Sequence, residues 1–314
     1  MVFTRRNIIS YFLGNLFINT QNHQTLAYIT LLRPQQWCKN LFIFLPIFFA
    51  QAITDYNRLL ACVIAFVAMC MISSSIYILN DICDRDYDRL HPVKSQRPIA
   101  SGRVPLPGAW CMYTFLLILA VALVTAFIPK QSLIVTFLIY WVLNHAYSLW
   151  LKHIALLDVM IVAIGFVLRI LVGAFAADVT PSHWIIIMTY LLALFLVLAK
   201  RRDDVIKYEQ SQTSLRRNVQ YYNRAFLDNA ITLVAAVTLV SYIMYTVDDA
   251  IIERFDCHYV YATAIFVLAG LLRYLQLTIV EENSGSPTKI IIRDRFMRLC
   301  VIGWILLFAF IIYG

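Results

Sequence analysis

The residues of this chain best placed to do chemistry lie between positions 80 and 88, where four aspartates fall within eight residues. Asn80, Asp84 and Asp88 recur every fourth residue, so a continuous helix would place them on one face, with Asp81 beside them. Converging carboxylate and amide oxygens are the ligands of a hard cation, and Mg²⁺ typically combines one or two carboxylates with substrate phosphate oxygens. The alternative is a solvated acidic helix end. We favour a metal site because the run continues directly from an apolar segment.

Fixed cations follow the aspartates. Lys94 and Arg97 stand in a loop punctuated by proline and glycine. A metal ion beside fixed cations suits a polyanionic substrate, since the metal bridges phosphate oxygens while lysine and arginine neutralise the rest. A basic loop that only sets membrane orientation is the alternative, and the two interpretations are compatible.

Further candidates for substrate binding lie within apolar segments or at their ends. They are Arg33, Lys39, Tyr147, Lys152, Arg169, Lys200, Arg201 and Asp204. For the cations at segment ends, membrane anchoring is the alternative. Arg169 is different, because a charge near the bilayer centre costs about 2.5–3.5 kcal/mol and normally faces a cavity or a partner.

The elements that position these residues are apolar helices. The chain of 314 residues is 61% hydrophobic and 14% charged, whereas soluble domains are about 45–50% apolar and 25% charged. Blocks of about 17–25 apolar residues match the hydrocarbon thickness, and only helices satisfy the backbone there without a closed barrel. We predict an all-α membrane protein with a bundle of nine transmembrane helices, over about 37–55, 59–79, 107–128, 131–149, 154–176, 183–199, 226–247, 258–280 and 297–313.

The charge distribution predicts the orientation. Of the 26 lysines and arginines, 21 fall on one side of the nine-span topology and 3 on the other. The positive-inside rule then places the N-terminus in the cytoplasm and the C-terminus outside, in the cytoplasmic (inner) membrane. The basicity therefore needs no nucleic acid to explain it. We expect one domain over 1–314, with an interfacial helix in 1–30 and cytoplasmic active-site loops at 80–106 and 200–225.

Several motifs resemble the UbiA superfamily of intramembrane prenyltransferases, and within it the decaprenyl-phosphate phosphoribosyltransferases. They are R-P-x-Q-W-x-K-N at 33–40, N-D-x-x-D-x-x-x-D-R-x-H-P-x-K-x-x-R-P-I-A at 80–100, L-K-H at 151–153, L-R-x-x-x-G at 168–173, K-R at 200–201 and R-D-R at 293–295. One departure is Asp204, where that branch typically carries glutamate.

The resemblance implies transfer of 5-phosphoribose from phosphoribosyl diphosphate to a polyprenyl phosphate, with release of pyrophosphate. Mg²⁺ is the implied cofactor, with Mn²⁺ as a substitute, held by Asn80, Asp84 and Asp88. Lys94 and Arg97 would hold the donor phosphates, and the remaining cations the acceptor or ribose phosphate. The alternative keeps the fold but moves an isoprenoid from its diphosphate to an aromatic or haem acceptor. A homo-oligomer or downstream pathway enzymes are the protein partners we consider.

Overall fold

The computed structural model of the protein describes residues 24–91, 93–211, 219–282, 290 and 293–313, and within these ranges it is all-helical. The N-terminal 23 residues of the predicted interfacial segment and positions 212–218 of the second predicted loop lie outside the described residues. The α-helices are α1 (24–32), α2 (Leu45–Phe49), α3 (Tyr56–Cys83), α4 (Arg85–Leu90), α5 (Leu106–Phe127), α6 (Gln131–Leu149), α7 (Leu157–Ala177), α8 (His183–Ser211), α9 (Arg224–Thr246), α10 (Asp249–Phe255), α11 (Ala264–Leu275) and α12 (Arg295–Tyr313).

The contacts divide the chain into two compact units. The first unit comprises Met1–Leu41 and Phe66–Phe127, and the second comprises Phe42–Ala65 and Ile128–Gly314. The predicted aspartate cluster lies in the first unit, and the candidates from position 140 onward lie in the second.

Eight helices in the described part of the chain are long and apolar enough to cross a membrane. They coincide with the last eight predicted spans. Many of their large apolar side chains are exposed, such as Phe115 at 59% and Phe310 at 72%. Apolar surface of this extent indicates that these helices face lipid.

The predicted span over 37–55 does not form a long α-helix, so the nine-helix count is not confirmed. The chain there forms a 3₁₀-helix, Pro34–Phe44, followed by the five-residue α2. Pro46 stands at the start of α2, where its missing N–H costs nothing. The sequence correctly predicted that this segment is apolar. Apolar composition, however, does not distinguish an α-helix from a 3₁₀-helix.

Helix α7 of the second unit packs against α2, α6 and α8. A side chain cannot be accommodated at Gly173 of α7, because a Cβ there would lie 1.9 Å from the carbonyl oxygen of Ile43. This close approach seats the end of the 3₁₀-helix against α7.

Candidate active site

The aspartate cluster of the first unit lies at the junction of α3 and α4. Helix α3 ends at Cys83 and α4 begins at Arg85, but the backbone spacing of four residues continues across the junction. The amide of Asp84 donates to the carbonyl of Asn80 at 2.9 Å, and the amide of Asp88 to the carbonyl of Asp84 at 2.8 Å. Asn80, Asp84 and Asp88 therefore follow one another at successive turns.

Two arginines bind the carboxylates of this cluster. Oδ1 of Asp81 accepts hydrogen bonds from Nη1 of Arg97, at 3.0 Å, and from Nη2 of Arg33. Nη1 of Arg97 also donates to Oδ2 of Asp88 at 2.6 Å. Asp81 and Asp88 are buried, whereas both arginine side chains are 25% exposed. The aspartates thus hold two cations at a partly open surface.

Local structure explains how Arg33 reaches Asp81. Arg33 ends α1 in a left-handed conformation, with φ of 53°, which costs a non-glycine residue about 1–2 kcal/mol. The turn is fixed by Ser74, whose hydroxyl donates to the carbonyl of Leu32 at 2.8 Å and accepts from the indole of Trp37 at 3.0 Å. The ion pair with Asp81 offsets the strain, and the guanidinium lies 5.1 Å from the ring centre of Tyr77.

The loop after α4 is held by its own side chains. Nδ1 of His91 accepts hydrogen bonds from the amides of Val93 and Lys94, at 3.1 and 3.2 Å. Burial, followed by the positive charge of Lys94, holds the pKa of His91 below its ordinary value, which suits a ring nitrogen that accepts. Arg89 donates to the carbonyl of Ala100 at 3.2 Å. Lys94 is therefore presented by a fixed turn.

The donor set of this cluster fits a hard divalent cation that is completed by substrate. Asn80 donates its amide to Oδ2 of Asp84 at 3.0 Å, which keeps that amide oxygen and carboxylate adjacent. Oδ2 of Asp81 is buried without a hydrogen-bond partner among the described residues. In the same part of the chain, no three His, Cys, Asp or Glu side chains converge in a geometry that would hold a metal alone. Such a set suits Mg²⁺, which binds few carboxylates and takes substrate oxygens.

A second charged cluster lies in the second unit, around Asp158. Its carboxylate is fully buried; Oδ2 accepts from Nε of Arg201 at 2.6 Å, and Oδ1 accepts from the hydroxyl of Tyr222 at 2.7 Å. Nη1 of Arg201 also donates to Asp204 at 2.8 Å. Arg201, which we predicted to bind substrate, is thus held by two carboxylates, and its side chain is only 2% exposed.

Tyr222 also fixes the turn that precedes α7. The amide of Leu156 donates to the Tyr222 hydroxyl at 2.7 Å, and Leu156 has φ of 67° and ψ of −45°, an uncommon conformation for a side-chain-bearing residue. Burial, and next the hydrogen bond to Asp158, raise the pKa of Tyr222 above its ordinary range. The hydroxyl therefore stays protonated, so it can donate to Asp158 while accepting from Leu156.

Arg169 is buried inside the second unit, where its contacts include a carbonyl, a hydroxyl and two aromatic rings. Its Nη1 donates to the carbonyl of Gly165 at 2.7 Å and its Nη2 to the hydroxyl of Tyr140 at 2.8 Å. The guanidinium lies 5.0 Å from the ring centre of Tyr140 and 5.2 Å from that of Phe166. The structure therefore gives Arg169 protein partners within α6 and α7, and its role in binding substrate stays a prediction.

The other predicted substrate ligands lie nearer the surface. Lys200 is exposed, and Lys39, Tyr147 and Lys152 are half-buried. Tyr147 is close enough to Arg201 to interact with it electrostatically. Lys152 lies in a short 3₁₀-helix, Leu151–His153, that follows α6.

Two further partners were not predicted from the sequence: Tyr222, which binds Asp158, and Asp228, which binds Arg202. Nε of Arg202 donates to Asp228 at 2.5 Å and its Nη1 to the carbonyl of Thr278 at 2.8 Å. No motif marked these pairs. The one available signal was the position of Asp158 within an apolar block, since a carboxylate there requires partners.

Comparisons with known proteins agree with this architecture. The model of the UbiA prenyltransferase family matches residues 40–299. A decaprenyl-phosphate phosphoribosyltransferase of Mycolicibacterium smegmatis is 32% identical, over 88% of this chain and 89% of the relative. One of Corynebacterium glutamicum is 26% identical, over 91% and 86% respectively. The structure of a UbiA homologue from Archaeoglobus fulgidus bound to GPP and Mg²⁺ superposes with a TM-score of 0.68, at 20% identity, over 91% of this chain and 99% of that one.

Proposed function

Because this chain belongs to the UbiA prenyltransferase family and is a transferase, we propose that it moves 5-phosphoribose from phosphoribosyl diphosphate to a polyprenyl phosphate. The observation that carries the proposal is the alternation of carboxylates and arginines at the α3–α4 junction, where Asp81 and Asp88 share Arg97. Relatives named decaprenyl-phosphate phosphoribosyltransferase, similar over most of their length, support the same substrates.

The reaction needs no general base. An oxygen of the acceptor phosphate forms a bond to C1 of the ribose as the bond from C1 to the diphosphate breaks, and its electron pair leaves with pyrophosphate. The acceptor is already an anion, so no proton has to be removed. Asn80, Asp84 and Asp88 would hold a Mg²⁺ ion, and that ion would supply electrostatic stabilisation of the leaving diphosphate.

Lys94 and Arg97 serve the donor phosphates in this proposal. Both ion pairs of Arg97 use Nη1, so among the described residues its Nε and Nη2 remain available for phosphate oxygens. Charge-assisted contacts of this kind are the strong ones in phosphate recognition. In the second unit, Lys152 and Lys200 serve a phosphate of the donor or acceptor, and Asp158 and Asp204 hold Arg201 in place.

We expect Lys94→Ala to lower phosphoribosyl transfer at least 10-fold, since a lost charge-assisted contact costs about 1.5–3 kcal/mol. The assay combines purified protein, phosphoribosyl diphosphate, polyprenyl phosphate and Mg²⁺, with mass spectrometry of the lipid fraction. Lys130→Ala is the matched control, because Lys130 forms only an exposed pair with Asp178. An equal loss of activity in both variants would show that Lys94 does not bind the donor.

The alternative function is prenyl transfer to an aromatic or haem acceptor. We expect prenyl diphosphates with aromatic acids to give no product under the same conditions. A prenylated aromatic formed as fast as the phosphoribosylated lipid would replace our proposal with this alternative.

We further propose that the segment over 37–55 crosses the membrane, with the N-terminus cytoplasmic and the C-terminus outside. The 3₁₀-helix and α2 contain 11 and 5 residues. At about 2.0 and 1.5 Å per residue they extend up to about 30 Å, the thickness of the hydrocarbon core. A ninth crossing of this kind places the basic loops on one side, as the positive-inside rule requires.

Reporter fusions test this topology. A reporter at Gly314 should be active outside, whereas one inserted within 212–218 should be active in the cytoplasm. Because three spans separate these two sites, fusions that report the same side would contradict the nine-span topology. A third reporter at the N-terminus should report the same side as the one within 212–218, since six predicted spans separate them. Opposite sides for that pair would show that 37–55 does not cross the membrane.

A further inference from the structure

The second unit carries an open groove that the proposed reaction does not use. It has a volume of about 400 Å³ and lies along α11 and the first turn of α12, lined by Ala269, Leu272, Arg273, Gln276 and Phe296. Three of these side chains are apolar and two are polar. None is among the residues assigned above to metal, donor or acceptor. The groove is therefore a separate feature of the surface.

The cation inside the groove, Arg273, is already paired with two carboxylates. Nη2 of Arg273 donates to Asp294 at 2.7 Å, and Nη1 donates to Glu281 at 3.0 Å and to Gln276 at 2.8 Å. The hydrogen bond from Arg273 is the main reason that the pKa of Asp294 lies below its ordinary value, so Asp294 stays ionised. Arg273 thus ties the end of α11 to the start of α12.

Three further cations stand near the start of α12, where Arg298 lies one turn beyond Asp294, the partner of Arg273. Arg293, Arg295 and Arg298 are exposed, and Arg295 precedes the lining residue Phe296. None of the three forms an ion pair within the described ranges. All 18 aspartates and glutamates of the chain lie in those same ranges. No acidic side chain elsewhere in the chain can therefore neutralise these arginines.

We propose that this groove binds an anionic phospholipid of the surrounding bilayer. One acyl chain lies against Ala269, Leu272 and Phe296, and the phosphate lies near Arg295 and Arg298. The apolar lining suits hydrocarbon, and basic residues at a membrane surface attract anionic headgroups. The occupant is a phospholipid rather than the polyprenyl phosphate acceptor, because no residue assigned to the reaction lines the groove.

Native mass spectrometry of the full-length protein, with phosphatidylglycerol and phosphatidylcholine in competition, tests the proposal. The native protein should retain phosphatidylglycerol preferentially. We expect Arg295→Gln to reduce that preference roughly 5-fold and the double variant with Arg298→Gln to reduce it further. Arg254→Gln is the matched control, an exposed arginine with no ion pair in the described part of the chain, and it should leave the preference unchanged.

A second variant tests the apolar part without altering charge. Ala269→Phe should fill the groove and lower retention of both lipids, while a thermal unfolding midpoint equal to that of the native protein shows that the chain is folded. Equal loss in Arg254→Gln and Arg295→Gln would overturn the proposal. So would displacement of phosphatidylglycerol by an equimolar amount of polyprenyl phosphate. Phosphoribosyl transfer is assayed separately, so failure here leaves the proposed reaction untouched.

Discussion

Asp84→Asn should lower phosphoribosyl transfer by at least about 100-fold. Asp84 stands between α3 and α4, and its carboxylate adjoins the amide of Asn80. Asparagine keeps the shape of the side chain but removes the charge that a divalent cation requires. Metal-ion catalysis is worth several kcal/mol, and each 1.36 kcal/mol is tenfold in rate.

Asp86→Asn is the control for this variant. Asp86 lies in the same turn, but its side chain is 89% exposed and its pair with Arg89 is long, at 3.7 Å. This variant should keep nearly native activity.

Chelation by EDTA should abolish transfer reversibly in the native protein. Full activity of Asp84→Asn, together with resistance to EDTA, would show that the aspartates form a solvated helix end and not a metal site. Asp84 is a better test than Asp88, because Asp88 is buried and paired with Arg97.

Asp158→Asn should destabilise the protein by about 3 kcal/mol. Removing one charge from a buried pair leaves its partner uncompensated, which typically costs about 3–5 kcal/mol. We expect the lower end because Arg201 keeps its contact with Asp204. The variant also disturbs Tyr222 and the turn at Leu156. The free energy of unfolding is measured by denaturant titration in mixed micelles.

Asp178→Asn is the matched substitution at the opposite end of α7. Asp178 is 82% exposed and pairs with Lys130 at 3.2 Å, and surface pairs contribute about 0–1 kcal/mol. Asparagine also tolerates the left-handed conformation that Asp178 adopts. If both variants lose the same stability, the network around Asp158 does not act as a buried ion pair.

Sequence alone predicted the membrane class and eight of the helices, because apolar runs that match the bilayer thickness are a local property of the chain. It also predicted that Asn80, Asp84 and Asp88 follow one another at helical spacing, since that requires only the period of a helix. The segment over 37–55 was harder. Its hydropathy indicated a span, but hydropathy does not distinguish 3₁₀ from α geometry, and the close approach of Ile43 to Gly173 is a property of the tertiary structure.

Only the tertiary structure decided which charges pair. Arg33 and Asp81 are 48 residues apart, Arg201 and Asp158 are 43 apart, and Tyr222 and Asp158 are 64 apart. The sequence identified Arg33, Asp81 and Arg201 as candidates, yet it gave no sign of the carboxylates that pair with Arg201 or of the role of Tyr222. Their pairing depends on the rotation and axial offset of helices distant in sequence. Helix packing sets those quantities, and no local pattern of residues encodes them.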